Sequence, residues 1–288
     1  MDERTLEIDG IAFGLKVYAA SSSNQQTPLL VALHGGTYTS AYFEVPGGPF
    51  GSFVDIACRN GFDVVSVDRP GYGRSGALPE TDNTFARQAE LLDRVIGTLS
   101  KEWPGRQVVL VGHSIGGMIA LEIAARRPAW PLAGVSATGM GARNPEGGAA
   151  VQLGELPMSG VVDLPIESRD RMMFGPAGSF TEQARHAAHT SYAPTPFIEL
   201  ALAPRWAKER LPGVAAQVNV PVHNVLAEHD ALWDSSDDAR SQFVSLFDVP
   251  VQATVAYGAG HSFDHHTCGA VFHLQQLAFA YQCVVDLL

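Results

Sequence analysis

Short runs of uninterrupted apolar residues recur along this chain, and stretches with a helical period separate them. A run without polar alternation is typical of a strand that is buried on both faces of a sheet. Alternation of such strands with helices predicts an α/β fold with a mainly parallel, doubly wound sheet. The predicted buried strands cover residues 29–33, 63–68, 107–112, 132–138, 221–228 and 251–258.

The N-terminal segment is predicted to add a hairpin to this sheet. Alternating apolar and polar residues flank Asp9-Gly10, a dipeptide typical of tight turns, and they predict strands near 5–8 and 12–19. The hairpin raises the sheet to about eight strands. Helices are predicted over residues 50–60, over 84–101, from Ser114 to just before Pro128, and over 267–288.

The buried-strand pattern stops between about residue 141 and residue 213. This region contains prolines, glycines and short amphipathic segments such as 179–190. We therefore expect a helical insertion that lies over the carboxyl edge of the sheet. The predicted organisation is an α/β core of residues 1–140 and 214–288, with residues 141–213 as a cap or lid.

Composition restricts the partners that this chain is expected to bind. The 288 residues carry a formal net charge of −11. An acidic surface repels nucleic-acid phosphates and anionic lipids, so we expect a small-molecule substrate, no nucleic acid and no membrane. Cys58, Cys268 and Cys283 are too few and too scattered for a disulfide framework or a zinc site. There is no apolar leader and no run of about 18 apolar residues, so we expect a cytoplasmic protein.

A G-x-S-x-G pentapeptide, Gly112-His113-Ser114-Ile115-Gly116, joins an apolar strand to an apolar helix. A serine on such a sharp turn exposes its Oγ, and larger residues two positions away would collide. The helix that begins at Ile115 would direct backbone N–H groups toward a developing anion. The alternative is a glycine-rich turn that binds phosphate, but no G-x-G-x-x-G or Gly-Lys-Ser/Thr pattern is present. Ser114 is therefore the candidate nucleophile.

A serine nucleophile needs a general base, and the base needs an acid that orients it. In this architecture the acid and then the histidine follow the serine along the chain. The stretch NVLAEHDALW places Asp230 directly after a strand, and VAYGAGHSFDHH places His261 after the next strand. Both positions lie at the carboxyl edge of a parallel sheet, where such folds place their sites. Glu228 is the rival acid, and His265 and His266 are the rival bases.

A metal cluster is the alternative use of these histidines and carboxylates. Their spacing fits no metal motif that we can identify, so we expect no metal and no cofactor. The residues considered for such a cluster are His229, Asp230, His261, Asp264 and His265.

Backbone amides that could bind an oxyanion are expected at two places. The first is Ile115, the residue after the candidate nucleophile. The second is the loop LHGGTYTS after strand 29–33, in which adjacent glycines leave the backbone open to a substrate. Gly36 is the candidate donor and Thr37 the second choice; a plain β-turn is the alternative interpretation of this loop.

Five motifs follow one another along the chain: LHGG, DRPGYGRS, GHSIGG, LAEHD and GAGH. Together they resemble the α/β-hydrolase superfamily. The resemblance implies a serine hydrolase that cleaves a carboxylic ester, lactone or thioester through an acyl-enzyme on Ser114. It also implies that Asp230 orients His261. A serine in the nucleophile position disfavours the epoxide hydrolase and haloalkane dehalogenase chemistry of this superfamily, which uses a carboxylate.

The expected substrate is small to medium in size and hydrophobic, because the predicted cap is rich in Met, Phe and Trp. The alternative is that most of these side chains simply pack the cap onto the sheet. Two other functions stay open: a non-hydrolytic enzyme of this fold (lyase, acyltransferase or cofactor-free oxygenase) and a ligand-binding protein with slow turnover. A homodimer is compatible with the sequence. The pocket residues are expected to be Thr37, Tyr38, His113, Met173, Phe174 and Trp206.

Overall fold

The computed structural model describes residues 1–22 and 26–285. The strands are β1 (Asp2–Ile8), β2 (Ile11–Tyr18), β3 (Leu29–Leu33), β4 (Val64–Val67), β5 (Val108–His113), β6 (Leu132–Thr138), β7 (Val161–Val162), β8 (Thr195–Pro196), β9 (Val222–Ala227) and β10 (Val251–Ala256). Within the described residues, eight of them form one sheet in the order β1-β2-β4-β3-β5-β6-β9-β10. Strand β2 pairs antiparallel with β1 and β4, and the other neighbours pair in parallel. The predicted α/β fold with its mainly parallel sheet is confirmed.

The helices are α1 (Phe53–Arg59), α2 (Phe85–Leu99), α3 (Ile115–Ala125), α4 (Ala149–Gly154), α5 (Ile166–Met173), α6 (Glu182–His189), α7 (Phe197–Glu209), α8 (Leu211–Ala215), α9 (Asp237–Val244) and α10 (Gly269–Val285). Among these described helices, none combines the length and apolar character that crossing a membrane requires.

Two hydrophobic clusters cover the two faces of the sheet, because successive side chains of a strand point to opposite faces. Val31 and Leu33 of β3 belong to the cluster that contains side chains of α2, α3 and α9. Leu30 and Ala32 belong to the cluster that contains side chains of α1 and α10. All five residues of β3 are fully buried, as their uninterrupted apolar pattern predicts.

Most predicted elements lie within a few residues of the observed ones. The helix expected over 84–101 is observed as α2, with its N-cap Thr84 accepting a hydrogen bond from the amide of Arg87. The helix expected over 267–288 is observed as α10, and residues 286–288 lie outside the described residues. The hairpin begins earlier than expected, at Asp2.

Residues 141–213, called the intervening segment below, connect β6 with the elements that lead to β9. They contain α4 to α7, the β7–β8 ribbon and the first part of α8. None of the described strands of this segment joins the eight-stranded sheet. The expected boundary between 213 and 214 falls inside α8, which contacts α3 of the core.

Candidate active site

The turn between β5 and α3 holds Ser114 in an unusual backbone conformation, with φ 55° and ψ −122°. Such a positive φ is rare for a residue with a side chain and costs roughly 1–3 kcal/mol. A Cβ atom on Gly112 would lie 2.3 Å from the carbonyl oxygen of Gly116. One on Gly116 would lie 2.0 Å from the carbonyl oxygen of Leu33. The two glycines therefore allow the backbones of β3, β5 and α3 to meet at the serine.

Gly116→Ala is expected to lower the free energy of unfolding by about 3 kcal/mol, because the new methyl group meets backbone that cannot move away. Chemical denaturation measures this change. Gly213→Ala in α8 is the matched control, since no atom lies within 4 Å of its added Cβ. It should leave stability unchanged or raise it by up to about 1 kcal/mol. Equal stability of the two variants would contradict this description of the turn.

His261 and Asp230 converge on Ser114 from the loops that follow β10 and β9. Nε2 of His261 lies 3.0 Å from Oγ of Ser114. Nδ1 of His261 lies 2.9 and 3.1 Å from the two carboxylate oxygens of Asp230. A carboxylate only accepts hydrogen bonds, so it holds the proton on Nδ1 and leaves Nε2 free to accept the serine proton. The arrangement can therefore activate the serine hydroxyl.

Backbone amides hold the Asp230 carboxylate in place. Its Oδ1 accepts hydrogen bonds from the amides of Leu232 and Trp233, at 2.8 and 3.1 Å. The side chains of Asp230 and His261 are 0% and 1% exposed, so water competes little for their hydrogen bond. The distances and burial fix the orientation of the imidazole toward Ser114.

The rival residues lie in other environments. Glu228 is exposed, and its carboxylate accepts a hydrogen bond from the amide of Gly258. Nε2 of His265 lies 3.1 Å from the carbonyl oxygen of Tyr42, and Nε2 of His266 accepts hydrogen bonds from two backbone amides. Among the described residues, no three His, Cys, Asp or Glu side chains are grouped so that they could hold a metal ion.

Within the described residues, the backbone amides of Gly36 and Ile115 beside Ser114 donate no hydrogen bond to another backbone group. The two residues are close neighbours, because a Cβ on Gly36 would lie 3.0 Å from Cδ1 of Ile115. The amide of Thr37 donates to Oγ1 of Thr195 at 2.8 Å. Thr37 is therefore occupied, and Gly36 stays the candidate donor.

A narrow apolar cavity opens on Ser114 between the core and the intervening segment. Among the described side chains that line it, none is charged. The polar ones are the hydroxyls of Thr37 and Ser114 and the amide of Asn144. The solvent-accessible space inside it is about 40 Å³, which is enough for a few water molecules. The larger apolar side chains of its lining include Met118, Leu153, Leu164, Met172, Leu200 and Trp233.

Two of the six expected pocket residues, Thr37 and Met173, line this cavity, and the other four do not. The hydroxyl of Tyr38 lies 2.9 Å from Oγ of Ser262 within the core. Nε1 of Trp206 donates to the Glu122 carboxylate of α3 at 3.0 Å, and Trp206 does not line the cavity.

His113 and Phe174 are the remaining expected pocket residues outside the cavity. The ring of His113 stacks on Tyr42 beneath His261, at 4.7 Å between centroids. Phe174 packs against Phe180 and His266. Trp233 is an aromatic residue that does line the cavity. It lies three positions after Asp230, and this proximity to the expected acid could have predicted its place at the site.

A buried polar layer lies behind His261. The hydroxyl of Tyr42 donates to Oδ2 of Asp264 at 2.6 Å, and burial raises the pKa of Asp264 to about 7. Burial also holds the pKa of His113 well below its usual range and lowers that of His265 to about 3. These histidines are therefore neutral at pH 7, so they do not compete with His261 for a proton.

A family model described as the alpha/beta hydrolase family matches residues 30–273. The uncharacterized hydrolase YugF of Bacillus subtilis (strain 168) is 30% identical over 115 residues, which is 40% of this chain and 38% of that protein. The proline iminopeptidase of Saccharolobus solfataricus is 33% identical over 128 residues, 43% of this chain and 36% of that protein. The chain thus spans well under half the length of these curated relatives.

Solved structures share the fold over nearly the whole chain. A proline iminopeptidase from Mycobacterium smegmatis superposes with a TM-score of 0.71 at 17% identity and covers 99% of both chains. The N-acyl homoserine lactonase AidH, complexed with N-butanoyl homoserine, superposes with a TM-score of 0.70 at 18% identity, covering 98% of this chain and 97% of that chain. At these identities the likeness shows the fold alone. The family match and the hydrolase relatives support an enzyme of the hydrolase type.

Proposed function

The chain belongs to the alpha/beta hydrolase family, and on that premise we propose that it is a serine hydrolase. It cleaves a carboxylic ester, lactone or thioester of a small to medium hydrophobic substrate. One observation carries this proposal: Ser114, His261 and Asp230 form a continuous chain of hydrogen bonds that ends at an apolar cavity. No metal or cofactor has a part in the proposed reaction.

The proposed mechanism has two halves. In the first, Nε2 of His261 takes the proton of Ser114 as Oγ attacks the substrate carbonyl carbon. The resulting oxyanion accepts hydrogen bonds from the amides of Gly36 and Ile115. His261 then gives the proton to the leaving group, and the acyl group stays on Ser114. Asp230 stabilises the cationic imidazolium that forms in both halves.

In the second half, water attacks the acyl-enzyme and His261 accepts a proton from it. The same amides stabilise the second oxyanion. The bond to Oγ then breaks, His261 returns the proton to Ser114, and the carboxylic acid leaves. The attacking water supplies one oxygen of the product acid.

We propose that residues 141–213 act as a cap that selects the acyl group. Leu153, Leu164, Met172 and Leu200 come from this segment and face Ser114 across the cavity. An uncharged, apolar wall favours an acyl chain over a charged group, because a charge placed there would lose its hydration without gaining a partner. The narrow cavity favours chains of moderate length.

Leu153→Ala is expected to shift the preference of the enzyme toward longer acyl chains, since it removes a wall of the cavity. The ratio of kcat/KM for p-nitrophenyl octanoate over the butanoate should rise about tenfold. Val151→Ala is the matched control on the same helix, because Val151 is exposed and does not line the cavity. An equal ratio in both variants would contradict the assignment of this cavity as the acyl site.

Hydrolysis in water enriched in ¹⁸O tests the proposed reaction against the non-hydrolytic alternatives. One ¹⁸O atom per turnover is expected in the product acid when p-nitrophenyl butanoate is the substrate. Transfer of the acyl group to an added alcohol, with no labelled acid, would instead indicate an acyltransferase. Stoichiometric binding of the ester with no product would indicate a ligand-binding protein.

A further inference from the structure

A fully buried arginine holds the loop that carries the Gly36 amide. Arg69 follows β4, and its side chain is 0% exposed. Its Nε donates to the carbonyl oxygen of His34 at 2.9 Å, and its Nη2 donates to that of Gly35 at 3.1 Å. Two successive carbonyl groups of the loop after β3 are thus held by one rigid, planar cation.

The imidazole of His34 completes this attachment. Its Nε2 accepts a hydrogen bond from the amide of Arg69 at 3.0 Å, so its proton lies on Nδ1. Nδ1 lies 2.8 Å from the carbonyl oxygen of Gly35 and donates to it. Burial and the nearby guanidinium hold the pKa of His34 well below its usual range, which keeps the ring neutral. The Gly35 carbonyl therefore accepts two hydrogen bonds.

The carbonyl of Gly35 and the N–H of Gly36 belong to the same planar peptide group. Two donors on the carbonyl oxygen fix the plane of this group, and so they fix the direction of the N–H. The group also lies beside the nucleophile, since a Cβ on Gly35 would be 3.0 Å from Cβ of Ser114. We propose that Arg69 is a positioning residue, which aims the Gly36 amide at the oxyanion; this inference rests on the proposed serine-hydrolase function.

A carboxylate from the intervening segment holds the arginine in turn. Glu199 of α7 is fully buried, and its Oε2 accepts from Nη2 of Arg69 at 2.9 Å and from the hydroxyl of Tyr72 at 2.8 Å. Its Oε1 accepts from Nε2 of Gln88 at 2.6 Å. The next residue, Leu200, lines the cavity at Ser114. The same helix therefore supplies a wall of the acyl site and the counter-ion of the positioning arginine.

Another buried arginine offers a matched comparison at the opposite end of β3. Arg106 donates from Nε to the carbonyl oxygen of Thr27 at 2.8 Å and from Nη2 to that of Pro28 at 3.2 Å. It is also paired with the carboxylate of Asp63. The two arginines share their chemistry, but only Arg69 binds the loop next to Ser114. If the role of Arg69 were purely structural, Arg69→Lys and Arg106→Lys would have the same effect on the reactivity of Ser114.

The test is the second-order rate at which an alkyl fluorophosphonate labels Ser114, followed by intact mass and peptide mapping. In this reaction the bond from Oγ to phosphorus forms, fluoride leaves and His261 takes the serine proton. Lysine can still pair with Glu199, but its single ammonium cannot reproduce the guanidinium fork on two carbonyls. Arg69→Lys should label at least about tenfold more slowly than wild type, while Arg106→Lys keeps the wild-type rate. With p-nitrophenyl butanoate, kcat should fall for Arg69→Lys while KM stays the same.

A double variant, Arg69→Met with Glu199→Gln, keeps the test decisive if Arg69→Lys fails to fold. It removes both buried charges together, which avoids an unpaired carboxylate. Slow labelling of the folded double variant supports the proposal. Wild-type rates in the folded Arg69 variants would overturn the positioning role alone. Failure of wild type to label at Ser114 would overturn the proposed function and this inference with it.

Discussion

Ser114→Ala is expected to lower kcat for p-nitrophenyl ester hydrolysis by at least about 10³-fold. The expected loss is large because the reaction depends on one oxygen atom, and alanine removes it without altering the tight turn between β5 and α3. His261→Ala should cause a comparable loss, since the serine then lacks its general base. The two losses should not add in the double variant, because both residues act in one step.

A second buried serine–histidine pair supplies the control for this experiment. Oγ of Ser136 lies 2.9 Å from Nδ1 of His223, inside the sheet and away from the cavity. Ser136→Ala should therefore retain the wild-type kcat, although its stability falls. Equal activity of Ser114→Ala and Ser136→Ala would contradict the assignment of the nucleophile.

A steep loss of stability below about pH 6.5 is the second large effect that we expect. Burial is the largest cause that lowers the pKa of each of six described histidines. The unfolded chain protonates these residues below about pH 6.5, whereas burial keeps them neutral well below that pH in the folded protein. The unfolded state therefore binds more protons, and the free energy of unfolding falls as pH falls. The six buried histidines are His34, His113, His223, His265, His266 and His273.

The size of this effect follows from proton linkage. Each histidine can remove up to about 1.4 kcal/mol of stability per pH unit, a limit that is approached about one unit below pH 6.5, where the unfolded chain is almost fully protonated. Asp264 acts in the opposite direction, because its raised pKa makes the folded state bind a proton first as pH falls from about 7. Six histidines less Asp264 leave a net uptake that approaches five protons on unfolding, so the loss of stability is steep for a protein that is only marginally stable. Stability is therefore expected to fall steeply as the pH is lowered from about 6.5 to 5.

Urea denaturation at a series of pH values measures this slope. His223→Asn should reduce the slope by up to about 1.4 kcal/mol per pH unit, because one buried titrating group is lost. His186→Asn on the exposed side of α6 is the matched control and should leave the slope unchanged. A protein whose stability is flat from pH 7 to pH 5 would contradict the burial of these histidines.

The sheet, and the edge of it that carries the candidate site, were predictable because each depends on residues that are close together in sequence. The uninterrupted apolar runs identify β3 and β5, and burial on both faces requires such runs. The glycines around Ser114 follow from the crowding of three backbone segments at one turn. The positions of Asp230 and His261 follow from a general property of parallel sheets, whose strands present their carboxyl ends at one edge. Their catalytic roles remain predictions.

The cavity walls and the arginine network were not predictable in the same way. Trp206 and Phe174 are large aromatic residues of the kind that often line pockets. The direction in which each side chain points, however, depends on how the intervening segment packs. The pairing of Arg69 with Glu199 joins residues 130 positions apart in sequence, and no periodic pattern indicates it. In the sequence Arg69 appears only as part of the DRPGYGRS motif, whereas its proposed positioning role depends on contacts that form after folding.

The most direct test of the proposed function is to trap the acyl-enzyme. Rapid acid quench during turnover of p-nitrophenyl butanoate, followed by peptide mapping, locates any covalent intermediate. We expect a butanoyl group on the peptide that contains Ser114, formed in a burst of p-nitrophenol release. Turnover with no acyl group on Ser114, or with the acyl group on another residue, would contradict the proposal that Ser114 is the nucleophile.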